Sequence, residues 1–367
     1  MRRLRVCRVI NALWMGGVQR RLMQLLPLLR ERGADCEVCA IRSEGELAER
    51  FRRELGVPVT VLPVEGRLQP AEVWKLARYF RERRFDVVHA HMYSAAAPAA
   101  PAAFLARVPV RIAQAHNVAQ YRRPSQARTD RMLMPLRHAY LAVSEAVRQD
   151  LAQRLRLPPE RFDVLHNGID LDAPATRPRS EVRAELGLAP GDLALLHVAR
   201  LHPQKGHRAF LRTLPAILRD APGARWIVVG DGEERAPLEA LAAELGVAHA
   251  VRFLGTRHDV HDLYAAADAA ILPSLKEGFS NVVLEAMLFG CPVVASDVGG
   301  AREQITHGAD GLVAPGGDPD AFARECVGLL RDPGLRSRIA QAGRGRVRDF
   351  GLERMAERTL EIYQRYL

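Results

Sequence analysis

No run of about 18 apolar residues occurs anywhere in the chain of 367, so no stretch is built to cross a bilayer as a helix. The longest apolar low-complexity stretch, Ala95 to Ala103, is interrupted by Pro98 and Pro101. Secretory leader features are missing too. The opening MRRLRVCRVIN is basic, but Arg5 and Arg8 break its apolar part and no small-residue cleavage site follows, so it is expected to form a first strand. Cysteine is scarce, five residues and an odd number, which does not suit a disulfide scaffold. Cys36 and Cys39 form a C-x-x-C, yet in the alternating run DCEVCAI positions three apart point to opposite faces of a strand. That argues against zinc or redox use and for reduced cytosolic thiols. No nucleic-acid-binding module is recognisable, and no repeat relates the two halves.

What is present is ordinary globular composition, 48% hydrophobic and 26% charged, in a chain long enough for two domains. The net charge of +10 is unevenly spread. Residues 1 to 180 carry 31 Lys and Arg against 18 Asp and Glu, net +13, and the remainder carries 22 against 25, net −3. A basic first half suits an anionic partner. With no nucleic-acid module beside it, an anionic membrane surface is the expected partner and nucleic acid is not; a solvated arginine-rich face is the plain alternative.

Strand and helix patterns alternate throughout, which predicts an α/β doubly wound architecture. Strands are expected at Val6 to Asn11, Cys36 to Ile41, Val59 to Leu62, Val87 to His91, Val110 to Ala115, Leu141 to Val143 and Val164 to His166. The Pro-rich polar stretch from Asp172 to Ser180 marks a linker, giving domains of residues 1–172 and 173–351. Alternation then restarts, with strands at Ala194 to Ala199, Trp226 to Val229, Val251 to Leu254, Ala269 to Leu272 and Val293 to Ser296, and helices from near Lys205, Glu233, Val260, Asn281 and Ala301. Two Rossmann-like sheets facing one cleft are expected, closed by an amphipathic helix over residues 352–367.

The chemistry centres on Pro273 to Met287, PSLKEGFSNVVLEAM. It runs from a buried strand into a helix, and such corners lie at the carboxyl edge of a parallel sheet, where helix amides attract anions. Glu277 in the loop and Glu285 in the helix, eight apart, can accept hydrogen bonds from hydroxyls on either side. Amides for a diphosphate between acids for hydroxyls describe a pocket for a nucleotide sugar. Gly16 and Gly17, on the first strand-to-helix turn, are expected to permit positive φ and close approach of amides to a phosphate, although the turn lacks the full G-x-G-x-x-G fingerprint. Arg200 and Lys205, in VARLHPQKG, follow the first strand of the second half, where two cations would stabilise negative charge building on a departing phosphate. His89 and His91 share one strand face, and metal ligation by that pair would need further ligands. D-x-D pairs occur at Asp170/Asp172, inside the hinge, and at Asp318/Asp320, a good helix start, so no metal is expected.

The two glutamates, with Gly278, Phe279, Ala286 and Met287 in register, resemble the donor signature of retaining GT-B glycosyltransferases of family 4. Five pieces, GGVQR, AHN, NGID, RLHPQKG and EGFSNVVLEAM, occur in the family's order over nearly the whole chain. The common Glu before Arg is Gln19 here, which leaves that position's role open. The resemblance implies the GT-B fold, with the last helix crossing back to the first domain, and transfer from a nucleotide-diphosphate sugar, a UDP-sugar preferred, to a lipid-linked or surface-glycan acceptor. It implies retention of anomeric configuration, no metal and no other cofactor. Catalytic roles would fall to His116 in QAHNV, which touches the donor sugar, and to Arg200, Lys205 and Glu277. Gly16, Gly17, Gly278, Phe279, Ser280, Asn281, Val282 and Glu285 would bind the donor, with Glu277 on the sugar hydroxyls, backbone amides of Gly278 to Val282 on sugar or diphosphate, and Glu285 on the ribose. A cytoplasmic protein, peripheral at the inner face of the membrane, is expected. The alternatives are a nucleotide-sugar epimerase or hydrolase on the same fold, or a non-catalytic sugar-nucleotide-binding subunit.

Overall fold

The computed structural model describes residues 2–64, 68–121 and 123–367. Its contacts divide the chain into two compact units, Met1–Asp170 with Gly351–Leu367, and Leu171–Phe350. Each is built on one parallel sheet. The first unit holds β1 (Leu4–Ile10), β2 (Ala34–Ala40), β3 (Val59–Val61), β4 (Val87–His91), β5 (Val110–Ala115), β6 (Ala139–Ala142) and β7 (Asp163–Val164), in the order β3-β2-β1-β4-β5-β6-β7. The second holds β8 (Leu193–Val198), β9 (Ala224–Val229), β10 (Val251–Phe253), β11 (Ala269–Leu272), β12 (Val293–Ser296) and β13 (Leu312–Ala314), in the order β10-β9-β8-β11-β12-β13. The architecture is therefore α/β with two Rossmann-like sheets.

Helices cover both faces of a sheet of this kind, so its strands are apolar on both sides. β11 and β12 are buried along their whole length for that reason. Strand order reverses once in each unit, between β1 and β4 and between β8 and β11. Connections leave those neighbours toward opposite faces of the sheet, and a crevice opens outside their carboxyl ends.

In the first unit the helix Gly17–Glu31 buries Leu22, Leu25, Leu26 and Leu29. Each such leucine contributes roughly 1.5–3 kcal/mol, an upper bound for a chain already partly collapsed when unfolded. The helix Leu352–Arg365 packs on it, burying Met355, Ala356, Leu360, Ile362 and Tyr363. All five cysteines are buried free thiols. Cys36 and Cys39 both lie on β2, and burial pushes the Cys36 thiol up to about 11. Among the described residues no helix is long and apolar enough to cross a membrane.

Several details differ from the sequence reading. β13 was not anticipated, because three residues between glycine turns give too short an apolar run to register. The expected helix near Lys205 begins as a one-turn 3₁₀ helix, Pro203–Lys205, ended by Gly206, and the α-helix proper is His207–Asp220. The helix at Ala301 spans only Ala301–Gln304. The Ala/Pro run lies inside the helix Met92–Leu105, where its small side chains are buried against neighbours despite two prolines. The Pro-rich stretch after Asp172 is strapped onto the second unit. Asp262, buried, accepts from the backbone N–H groups of Thr176 and Arg177 at 2.5 and 3.1 Å, and from the Thr176 hydroxyl at 3.1 Å.

Asp262→Ala would leave those two amides without their acceptor. The expected loss of stability is about 1–3 kcal/mol, read from a urea unfolding curve. An unchanged midpoint would show that the strap is held by other contacts.

Candidate active site

In the second unit the loops after β8 and β11 are locked together at the strand-order reversal. Leu275 donates its N–H to Gln204 O at 2.8 Å, and the Gln204 side-chain amide donates to Lys276 O at 2.8 Å. Gly206, at φ +75°, lies so close to the Pro273 carbonyl that any Cβ would collide with it. This interlock sets Lys205 beside Glu277. The ammonium donates to Glu277 Oε1 at 2.6 Å, and the buried Ser274 hydroxyl donates to the same oxygen at 2.8 Å. Arg200, on the same loop as Lys205, is exposed and has no side-chain partner among the described residues. One cation is held and the other is free to meet an anion.

Behind Glu277 the segment is fixed from the other side. Gly299, at φ +56°, has no room for a side chain against the Glu277 carbonyl, and Gly300 donates to Gly278 O at 2.8 Å. Gly278, Phe279 and Ser280 are buried. The helix Asn281–Leu288 follows with Ser280 as its N-cap residue, and no side chain caps it. The amides expected to face a ligand are narrowed here. Ser280 N–H donates to the Oε1 of buried Gln304 at 3.0 Å, whose amide returns a bond to Ser280 O at 2.7 Å. That N–H is committed to the protein. Asn281 and Val282, in the first turn, have no intrahelical acceptor. Glu285, one turn further, accepts from the Tyr264 hydroxyl at 3.4 Å.

In the first unit Gly16 and Gly17 follow β1 at its own reversal. Gly17 opens the helix, but Gly16 stands at φ −171°, extended backbone that any residue adopts, so the expected positive φ is not what selects glycine here. Gln19 answers the question left by the sequence, since its side-chain amide donates to Ala12 O at 2.9 Å and folds the loop back on itself.

His116 follows β5 and is half-buried. Its Nε2 lies 2.9 Å from His91 Nδ1. The His89 and His91 rings stack at 4.6 Å, as residues on one strand face should. His89 Nε2 lies 3.0 Å from Gln114 Oε1, and its Nδ1 is 2.9 Å from the Tyr363 hydroxyl and 2.8 Å from Arg8 Nη1. Burial, and then the nearby Arg8 charge, lower His116 to about 3, while His89 and His91 are held well below the usual histidine range by burial first. These imidazoles are committed to one another beside a fixed cation, an arrangement that would repel a metal ion. In the second D-x-D, Asp318 accepts from Ala321 N–H at 2.8 Å and caps the helix Pro319–Arg331.

Sequence reasoning missed Arg8, Gln114, Ser274, Gln304 and Tyr363. Arg8 carried a readable signal, a charge amid the apolar residues of a strand covered on both faces. Ser274 and Gln304 act through hydrogen bonds between distant segments, which no local pattern announces.

The residue pattern described as Glycosyl transferases group 1 matches residues 178–346, and that described as Glycosyltransferase Family 4 matches residues 15–173. A D-inositol 3-phosphate glycosyltransferase of Frankia alni is 33% identical over 306 residues, covering 77% of this chain and 75% of the relative. Among solved structures, Anabaena HepE in complex with UDP-glucose is similar with a TM-score of 0.86 at 26% identity, covering 98% of this chain and 99% of that one. HepE in complex with UDP gives 0.86 at 25% identity, over 99% of both chains.

The buried and half-buried histidines predict acid lability. Besides the three near Arg8, His197 is held well below its usual range and His207 is lowered to about 4, both by burial first. On acidification the unfolded chain takes up protons from about pH 6.5, whereas the folded chain does so only near the lowered values, so stability is full above about 6.5 and is lost as pH falls toward 4 and 3. The urea midpoint should drop between about pH 7.5 and about pH 5. A midpoint equal or higher at the lower pH would contradict the burial of these rings.

Proposed function

As a member of the glycosyl transferases of group 1 and family 4, the chain is a sugar-transferring enzyme, and we propose that it moves a sugar from a UDP-sugar to a lipid-linked or surface-glycan acceptor, with retention and without a metal ion. The observation that carries this reading is the loop pair after β8 and β11. It sets a cation, a carboxylate and an uncapped helix start side by side at the strand-order reversal. The UDP and UDP-glucose bound by HepE support a uridine donor.

In the proposed reaction the bond between the anomeric carbon and the diphosphate oxygen breaks. The acceptor hydroxyl attacks from the same face and its proton passes to the departing oxygen. Arg200 and Lys205 oppose the charge that develops there, and that takes the place of a metal ion. Asn281 and Val282 offer amides to the donor, and Glu277 and Glu285 accept from its sugar and ribose hydroxyls; the family resemblance assigns Gly16 and Gly17 to donor binding as well. Glu277 is not assigned as nucleophile, because its Oε1 already accepts from Lys205 and Ser274, which lowers its reactivity. The family resemblance assigns His116 to the donor sugar.

The excess of positive charge in the first 180 residues supports docking at an anionic membrane face from the cytoplasm. The name of the Frankia alni relative favours a second reading of the acceptor, a phosphorylated polyol, which the same basic half would suit.

Arg200→Ala and Lys205→Ala should each lower kcat about 100-fold or more while the protein stays folded. EDTA should leave turnover unchanged, and NMR of the product should show the donor's anomeric configuration. Full turnover without Lys205, inhibition by EDTA, or an inverted product would each remove the corresponding part. Assays with phosphorylated polyols and with lipid-linked glycans decide the acceptor, and release of free sugar without any acceptor would favour a hydrolase.

A further inference from the structure

Among its described residues the first unit contains a buried cation, Arg8, that no buried anion accompanies. Arg8 is 1% exposed at the middle of β1, and no carboxylate pairs with it among the described residues. Among the described residues its Nε and Nη2 have no hydrogen-bond partner, and its guanidinium lies 5.6 Å from the centre of the Tyr363 ring. An unpaired buried charge is expensive, and an apolar replacement of similar size is often neutral or stabilising. Stability therefore does not explain an arginine here. Its neighbours suggest another role.

A guanidinium can only donate. Arg8 Nη1 faces His89 Nδ1 at 2.8 Å and His91 Nε2 at 3.5 Å, so both ring nitrogens must present lone pairs. His89 then carries its proton on Nε2, which suits the acceptor Gln114 Oε1 at 3.0 Å. His91, accepting at Nε2, carries its proton on Nδ1 and donates to His116 Nε2 at 2.9 Å. His116 must accept at Nε2, and its remaining proton sits on Nδ1. Reversing any bond in the series would set N–H against N–H at Arg8.

We propose that Arg8 is a positioning residue that acts through His91 to fix His116 as a neutral imidazole protonated on Nδ1, so that His116 meets substrate as a hydrogen-bond donor and not as a base. The depressed proton affinity of all three rings agrees with this. The substrate atom it meets is then an acceptor, a hydroxyl or phosphate oxygen. This last step rests on the proposed transferase reaction; the proton arrangement does not.

The test is two-bond proton–nitrogen NMR of the full chain labelled with ¹⁵N-histidine, without substrate, His116 being assigned with His116→Asn. The expected spectrum gives His116 a protonated Nδ1 and a bare Nε2 at neutral pH. In Arg8→Met and in His91→Phe the ring should relax to the tautomer mixture of a free imidazole. In active preparations turnover should fall by up to about 100-fold, with a smaller change in donor KM. A wild-type ring protonated on Nε2, or on both nitrogens, overturns the proposal, as does an unchanged tautomer in Arg8→Met. Should either variant fail to fold, the wild-type spectrum still decides. The expected tautomer in a protein that transfers no sugar would sink the transferase reading and leave the relay standing.

Discussion

The contact between Lys205 and Glu277 is the point on which the second unit's site depends. The two residues are 72 apart in sequence and meet because β8 and β11 are neighbours across the reversal of strand order. Backbone interlocks on both sides of the pair, at Gly206 against Pro273 and at Gly299 against Glu277, leave those loops little freedom. A pair with side chains 26% and 12% exposed adds little net stability, since water screens part of the attraction and desolvation offsets more. Its worth lies in preorganisation. The ammonium and the carboxylate are ordered before any ligand arrives, so reaction need not supply that ordering.

The first unit solves the opposite electrostatic problem. There the aim is to keep three imidazoles uncharged, and the means are burial and a permanent cation. Where Lys205 has a carboxylate beside it, Arg8 has lone pairs of rings and an aromatic face. A charge with a counter-ion holds a position. A charge without one sets the direction of every hydrogen bond it touches.

Much of this was legible in the residues. The predicted strands Val87–His91, Val110–Ala115, Ala269–Leu272 and Val293–Ser296 coincide with β4, β5, β11 and β12, because strands covered on both faces are rich in apolar residues, with the histidines of β4 and Gln114 of β5 as the buried polar exceptions. The helix starts at Val260 and Asn281 were equally plain. Less was visible wherever a partner lies far away in sequence. Nothing near Ser280 reveals that its amide belongs to Gln304, and nothing in WMGGVQR shows that Gly16 is extended. Loop conformation there depends on Ala12 and Gln19 closing on each other, a tertiary event that composition does not encode.

The helix Leu352–Arg365 has one more consequence. It belongs to the unit whose strands are made first, yet it leaves the ribosome after all of residues 171–350. Until then the core around the helix Gly17–Glu31 lacks the side chains of Met355, Leu360, Ile362 and Tyr363, and the ring of Tyr363 is missing from beneath Arg8. The second unit is continuous in sequence, whereas the first waits for its last helix with part of its apolar core open to water. Slow synthesis across the middle of the message thus lengthens the time during which chaperones must shield the beginning of the chain.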